Sequence, residues 1–529
     1  MSGSAPLNNS RETPLAATFS LSIPHERTAP GPELETRPKQ VKRWIESLPP
    51  DATFETGRQL CRQLAKLNRV KLESDSRLLI LNAYEPVAAP MLQELEAMYA
   101  KASLPLAAGP RAALGLAREF LTELAMGYRI AAVELGGKLF GARKQLAAIL
   151  FKAMRCTAGR MFAAYKSYTP APAGTWADLH ELYLRAEELG VARETWEDDP
   201  KATIADLYCD ALLLSLTDPY RLDQGDSERV LKLLRAHRGL ATLGQARPRT
   251  SAGGHFLVPC NSDNPPKPSI GKLDDTGGPD WRLLDANPIV DALRAKLAAA
   301  PAPTKGKNEA RPALPAKLVR LWGDPPKRTS RRDPGQETVA ITMGLDGVGH
   351  FVALESHVNL ERQDEMLRTG ITMPLSPLPL DDASQPIPVF EWDVVNQSRG
   401  GLRVRRMEPT EQPIAVGEVA GIKIPGKPHW AIGAVRWVTV FEDGGMEFGL
   451  QYLASMARSV CVKAWGAPSS PGLLLADDAE PGSTLLTSPN VFQRSRELEL
   501  EEGDDARLVH AGEMVEVTHR FEIFTVEMS

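Results

Sequence analysis

An arginine-rich segment, PPKRTSRRDPG at 325–335, carries the first residue types that could do chemistry. It places Arg328 and Arg332 four positions apart, with Arg331 between them. A guanidinium group is a planar fork that makes two parallel hydrogen bonds to a phosphate, and the same plane can stack on a purine. The segment therefore predicts an anion site, although a basic linker exposed to solvent would have a similar composition.

A second polar segment, VVNQSRGGLRVRR, combines an amide, a hydroxyl and glycines inside a stretch that otherwise reads as strands. The amide of Asn396 can read a base edge, Ser398 adds a hydroxyl group, and Gly401 lets the backbone approach a ligand closely. The alternative interpretation is a plain turn between two strands, with Arg403 and Arg405 on a solvated face. The two segments together favour a bipartite anion site over either alternative.

Other kinds of site find no support in the sequence. There is no HExxH, no GxSxG and no cluster of Cys and His with metal-ligand spacing, and the stretch ELGGKLFG lacks the frame of a phosphate-binding P-loop. The five cysteines lie far apart, which is typical of reduced thiols in a reducing compartment. The sequence therefore indicates a protein that is not an enzyme and has neither a metal nor a cofactor.

The composition and net charge of the chain limit any anion site to a local patch. The chain has 529 residues, 43% hydrophobic and 24% charged, which is typical of a globular protein of several domains. Its formal net charge of −5 disfavours general binding to nucleic acid, so an anion site must be a local basic patch. No run of about 18 apolar residues and no secretory signal is visible, so we expect no membrane span and a cytoplasmic location.

The elements that would hold these segments fall into two halves. We expect a disordered tail at 1–40, a helical domain at 41–245 with apolar residues every three or four positions, and a linker with short helices at 246–324. One predicted helix runs from Thr175, placed to cap its start, to Gly190, placed to end it.

From about residue 336 the hydrophobic period changes to two. Val339, Ile341 and Met343 alternate with smaller or polar residues, and the turn EDGG precedes another alternating run at 446–452. We expect a β-barrel at 325–465 and a β extension at 466–529. The predicted fold class is thus α+β and multidomain, with an N-terminal all-α helical array, a C-terminal antiparallel β-barrel and an extra C-terminal β extension.

The barrel region resembles PilZ domains. RTSRR matches their RxxxR motif and NQSRGG matches their (D/N)xSxxG motif, in the expected order, while VRWV at 435–438 and MEFGLQYL at 446–453 look like the closing strands of that barrel. The resemblance covers about residues 325–465. One departure is a long insertion between the motifs, including 357–388, which a barrel can loop out because each doubling of loop length costs only about 0.6 kcal/mol.

The resemblance implies a bacterial receptor for cyclic di-GMP, with the nucleotide as a signalling ligand, bound as one molecule or as a stacked pair. It implies that Arg328 and Arg332 grip the phosphates and stack on guanine, with Arg331 adding charge. Asn396, Ser398 and Gly401 would line the barrel beneath the base.

The resemblance further implies regulation of motility, pili or biofilm, with a protein partner that docks on the helical domain. Trp437 is expected to pack the barrel.

Two other functions remain open on the sequence. The first is an interaction scaffold whose PilZ-like barrel does not bind nucleotide. The second is a nucleic-acid binder that uses Arg399, Arg403, Arg405 and Arg406, which is disfavoured because no aromatic residue for base stacking lies between those arginines.

Overall fold

The computed structural model describes most of the chain. The described residues are 23–24, 27–49, 53–136, 143–195, 202–246, 249–273, 280–299, 314–325, 332–335, 337–356, 387–410, 412–466, 468–477, 480–503 and 505–528. Most of the predicted tail, Arg328, Arg331 and most of the long insertion lie outside these ranges. Within them, no helix has both the length and the apolar character needed to cross a membrane.

The N-terminal half is an array of helices around a continuous apolar core, as the helical periodicity predicts. The helices are α1 (Pro38–Glu46), α2 (Thr53–Asn68), α3 (Ser74–Tyr99), α4 (Ala108–Gly136), α5 (Arg143–Lys166), α6 (Thr175–Glu188), α7 (Ile204–Ser215) and α8 (Asp226–Ala236). Thr203 and Asp206 form a capping box at the start of α7.

The two ends of α6 differ in how well the sequence predicts them. Gly190 ends the helix in the left-handed region, with φ of 69°. The prediction that Thr175 caps the start is wrong, because Thr175 is the first helical residue. The cap comes from a distant loop, where Asp263 accepts hydrogen bonds from the backbone N–H groups of Trp176 (2.9 Å) and Ala177 (3.1 Å).

The region 246–324 contains a sheet, where the sequence suggested a linker with short helices. Its antiparallel strands have the order β1-β4-β2-β3, and helices α9 and α10 pack on it. The elements are β1 (Thr242–Gln245), β2 (Arg249–Pro259), β3 (Lys267–Leu273), β4 (Trp281–Asp285), α9 (Asn287–Ala298) and α10 (Leu314–Gly323). Trp322 of α10 is fully buried, and its indole N–H donates to the Leu213 carbonyl of α7 at 3.1 Å.

Next along the chain is a closed antiparallel barrel, which we call the first barrel. Its strands have the order β7-β6-β9-β10-β11-β8, and pairing between β7 and β8 closes the ring. The short β5 pairs with β7 beyond the end of β6. The strands are β5 (Asp333–Pro334), β6 (Thr338–Met343), β7 (Phe390–Ser398), β8 (Gly401–Arg406), β9 (Val419–Lys423), β10 (Ala431–Val440) and β11 (Met446–Ala454).

The predicted C-terminal β extension is a closed barrel of its own, the second barrel, with the order β12-β13-β14-β17-β16-β15. It starts earlier than the predicted boundary at 465, because β12 pairs with β13 and β15. Its strands are β12 (Met456–Ala464), β13 (Ser470–Asp477), β14 (Glu480–Thr487), β15 (Glu497–Glu502), β16 (Asp505–Val517) and β17 (Glu522–Met528). The predicted fold class is confirmed.

A helix from the start of the insertion lies between the two barrels. Residues 345–356 form α11, whose Val348 and Val352 are buried in one cluster with residues of both barrels, including Ile432 and Phe521. The insertion therefore begins as part of the core and does not push the strands of the first barrel apart.

The first barrel closes at a point where two backbones almost touch. Gly401 pairs with Ser398 of β7 on one side and with Gln451 of β11 on the other. A Cβ atom at Gly401 would lie 1.9 Å from the carbonyl oxygen of Leu450. Only glycine therefore fits where β7, β8 and β11 meet.

We predict that Gly401→Ala destabilises the protein by about 2–3 kcal/mol, because the backbone must move away from Leu450. Gly400→Ala is the matched control, since a Cβ atom there meets nothing within 4 Å. It should change stability by less than about 0.5 kcal/mol. Denaturant titration followed by tryptophan fluorescence measures both, and equal stability of the two variants would contradict the close contact.

Candidate functional site

A β-bulge turns the second polar segment outward. Val394 pairs with Val404, but Asn396 pairs with Arg403, so Val395 is an extra residue in β7. Bulges re-aim side chains at barrel rims and near functional sites. Without the extra residue, Asn396 would share the inward face of the buried Val394. With it, Asn396 and Ser398 lie on the outer face of the first barrel.

A row of cross-strand neighbours continues this outer face. Asn396 pairs with Arg403, Arg403 with Gly449, and Gly449 with Trp437. Directly paired residues point to the same side of a sheet, so the row spans four strands, β7, β8, β11 and β10. A Cβ atom at Gly449 would lie 2.0 Å from the indole nitrogen of Trp437, so the indole ring lies flat over this glycine.

Trp437 therefore has a different place from the one expected. It is half-buried on the outside of the barrel, where the Arg403 guanidinium carbon lies 5.8 Å from its ring centroid. The interior is filled instead by Trp392 and Phe448, whose rings meet edge to face with centroids 4.7 Å apart. An aromatic ring and a guanidinium group thus lie beside Asn396 on one face.

Glu447 organises the arginines of this face. Its carboxylate is almost fully buried and accepts hydrogen bonds from the Nε atoms of both Arg403 and Arg405. Arg405 also donates from Nη2 at 2.7 Å, and its guanidinium carbon lies 5.8 Å from the ring centroid of Phe441. The simple solvated face that the sequence suggested for these two arginines is thus an ordered network of charge and aromatic rings.

The structure also brings the first polar segment to this face. Asp333 and Pro334 form β5 and pair with Gln397 and Asn396, so Arg332 directly precedes a strand that runs beside the second segment. Arg332 is exposed. Both β5 and β6 pair with β7, although the long insertion separates the two segments in sequence.

Of the six residues predicted to form the site, Arg332, Asn396, Ser398 and Gly401 lie together at one rim of the first barrel. Arg328 and Arg331 lie outside the described residues. Three further residues belong to the same face, and sequence reasoning missed their part in it: Arg403, Trp437 and Glu447.

The alternation of β8 and β11 places Arg403 and Glu447 on a common side. Trp437 follows a second bulge in β10, which alternation does not reveal. We name this surface, formed by Arg332, Asn396, Ser398, Gly401, Arg403, Trp437 and Glu447, the rim face.

The rim face offers the groups that recognise a planar base attached to phosphate. An amide and a hydroxyl group can hydrogen-bond to a base edge, while a guanidinium plane can stack on the ring or pair with a phosphate. Gln451, which pairs with Gly401, accepts a hydrogen bond from Arg436 at 2.9 Å. Arg436 in turn binds Glu516 of the second barrel at 2.8 Å, so the second barrel borders the rim face.

Comparison with known proteins gives matches over most of the chain. The family model described as the N-terminal domain of the cyclic-di-GMP receptor FimW matches residues 39–248. The model described as the middle PilZ domain of that receptor matches 255–369 and 378–459.

The chain is 25% identical over 487 residues to the cyclic-di-GMP receptor FimW of Pseudomonas aeruginosa, covering 80% of this chain and 78% of that protein. No solved structure matches the chain. The resemblance to PilZ domains is confirmed, because the model of the middle PilZ domain matches a region that contains the first barrel.

Proposed function

We propose that this protein is a receptor for cyclic di-GMP that binds the nucleotide at the rim face. The observation that carries the proposal is the meeting of Arg332 with Asn396 and Ser398 at one rim, despite the long insertion between them. The relative from Pseudomonas aeruginosa is described as a receptor for the same nucleotide, which supports the assignment.

Each group has a role in this proposal. Arg328, Arg331 and Arg332 supply charge to the phosphates, and Asn396 and Ser398 bind the edge of the guanine base. Hydrogen bonds to charged groups contribute roughly 1.5–3 kcal/mol each. Two arginines with the base contacts reach about −8 kcal/mol, which corresponds to a micromolar dissociation constant.

We predict that Arg328→Ala and Arg332→Ala each weaken binding of cyclic di-GMP at least about tenfold, because each removes a charged contact of about 1.4 kcal/mol or more. Isothermal titration calorimetry on the full chain measures the affinity. Arg494→Ala is the matched control, because Arg494 is an exposed arginine on the second barrel, paired with Glu513. Unchanged affinity in the Arg328→Ala/Arg332→Ala double variant would reject the assignment.

Selectivity tests the base contacts separately from the phosphate contacts. We predict that the wild-type chain binds cyclic di-GMP at least about tenfold more tightly than cyclic di-AMP or GTP, and that Asn396→Ala reduces this preference without changing the melting temperature. The same titrations give the stoichiometry, which separates one bound nucleotide from a stacked pair. Equal affinity for all three nucleotides would contradict guanine recognition at Asn396.

A scaffold that does not bind nucleotide is the second candidate function, and one observation favours it. Glu447 already neutralises charge on Arg403 and Arg405, so these arginines provide less attraction for a phosphate. If no cyclic dinucleotide binds in the titrations above, the scaffold is the function that remains.

Coupling to the helical half follows from the way the arginine segment is tethered. On its N-terminal side lies α10, which Trp322 anchors in the helical core. On its C-terminal side lies β5, which pairs with β7. A ligand that binds the segment therefore acts directly on the joint between the two halves. We place this action in the cytoplasm, with motility or pili as the regulated output through a protein partner on the helical half.

We predict that saturating cyclic di-GMP changes the small-angle X-ray scattering curve of the wild-type chain, because binding shifts the helical half relative to the first barrel. The Arg332→Ala chain at the same nucleotide concentration is the control and should show a smaller change. Identical curves with and without nucleotide, under conditions where calorimetry shows full occupancy, would reject the coupling while leaving the receptor assignment in place.

A further inference from the structure

A cavity lies away from the rim face, between the helical half and the hairpin that joins β10 to β11. Its volume is about 440 Å³, which is in the range of sites for small molecules. Helices α4 and α5 form one wall, and Val440, Phe441 and Glu442 of the hairpin form the other. Leu114 and Phe441 make much of its surface apolar.

The cavity contains a buried arginine whose hydrogen-bonding groups are only partly satisfied. Arg160 of α5 is only 9% exposed, and its Nε atom is buried without a hydrogen-bond partner. Its Nη2 atom donates to the hydroxyl of Thr175 at 2.7 Å. Among the described residues no carboxylate lies within ion-pair distance of it. Burying a guanidinium group without a direct ion pair and with an unsatisfied N–H group is unfavourable, so Arg160 is suited to receive an anion.

Two more arginines of α4 line the same cavity. Arg118 is mostly buried and pairs with Glu442 at 2.9 Å, but the Glu442 side chain is 78% exposed. Arg111 donates from Nη2 to the carbonyl of Leu106 at 3.1 Å. Burial and the neighbouring charge of Arg118 lower the pKa of Arg160, and the carboxylate of Asp263 opposes this shift.

We propose that this cavity is a second ligand site, which binds a small organic anion. A carboxylate or phosphate group of the ligand pairs with Arg160 and Arg118, and an apolar body packs against Leu114 and Phe441. Phosphate and carboxylate both match the planar guanidinium fork, and the apolar wall selects an organic ligand over a bare ion. The ligand is a free small molecule, and the site is independent of nucleotide binding at the rim face.

The test uses the full chain and a set of related probes. Calorimetry with phenyl phosphate, benzoate, inorganic phosphate and neutral benzamide distinguishes the contribution of the charged group to the affinity from that of the apolar body. We expect at least one of the two aromatic anions to bind at least about tenfold more tightly than both benzamide and inorganic phosphate. No saturable binding of either aromatic anion up to about 10 mM, or equal binding of inorganic phosphate, overturns the proposal.

Variants assign the binding to this cavity. Arg160→Gln and Arg118→Gln should each weaken the aromatic anion at least about tenfold, while Arg155→Gln, an exposed arginine of the same helix α5, should leave it unchanged. Full binding by both cavity variants overturns the proposal. All variants should retain the affinity of the wild-type chain for cyclic di-GMP. A result that rejects the anion site can therefore be told apart from one that rejects nucleotide binding at the rim face.

A cavity-filling variant tests the site without removing a charge. Gly115 of α4 lines the cavity, and a Cβ atom there meets nothing within 4 Å, so Gly115→Leu should fill the space and keep the helix. Gly109→Leu on the same helix is the matched control, because Gly109 also has open space around it but does not line the cavity. We expect Gly115→Leu to abolish anion binding and Gly109→Leu to preserve it. Equal binding by both overturns the proposal.

Discussion

The contact between Gly401 and the carbonyl of Leu450 is the constraint on which the first barrel depends. Gly401 pairs at once with Ser398 of β7 and Gln451 of β11, so it sits where the ring of strands closes. If this approach were wider, β8 could not join both neighbours, and the row from Asn396 to Trp437 would not exist as one surface. The glycine of the second polar segment thus has a structural role before it has any role toward a ligand.

The closed first barrel contacts both the helical half and the second barrel. Its hairpin between β10 and β11 reaches the helical half, where Val440 N–H donates to the Tyr168 carbonyl at 2.8 Å and Glu442 pairs with Arg118. Helix α11 fastens it to the second barrel through a shared apolar cluster. The apolar core of the helices continues into residues of the first barrel such as Val404 and Phe448, so the two units share an apolar contact in this structure.

Sequence reasoning was strongest where a pattern is local. The helices and most strands of the first barrel follow from periodicity, and both polar segments are contiguous motifs. It missed β1–β4 in a region rich in Gly, Pro and Asp. It also placed the end of the first barrel at 465, although β12 belongs to the second barrel. The run Leu473–Leu475 of β13 is buried throughout and shows no alternation, so periodicity gives no strand signal there. Features that depend on residues distant in sequence leave no recognisable pattern in the sequence. These are the Asp263 cap of α6 and the bulges that place Asn396 and Trp437 on one face.

The pairing of Glu447 decides how the rim face can work. In the proposed receptor we assign the phosphate contacts to the segment that contains Arg332, because the Glu447 carboxylate already holds Arg403 and Arg405. In this proposal a nucleotide held by these arginines acts on the joint between the two halves, because the segment follows α10 and Trp322 of α10 is fixed in the helical core. Phe441 contacts both regions, since the Arg405 guanidinium lies over its ring and the same residue lines the cavity beside the helical half. In the proposed receptor, nucleotide binding and movement of the joint are therefore coupled, because the same segment takes part in both.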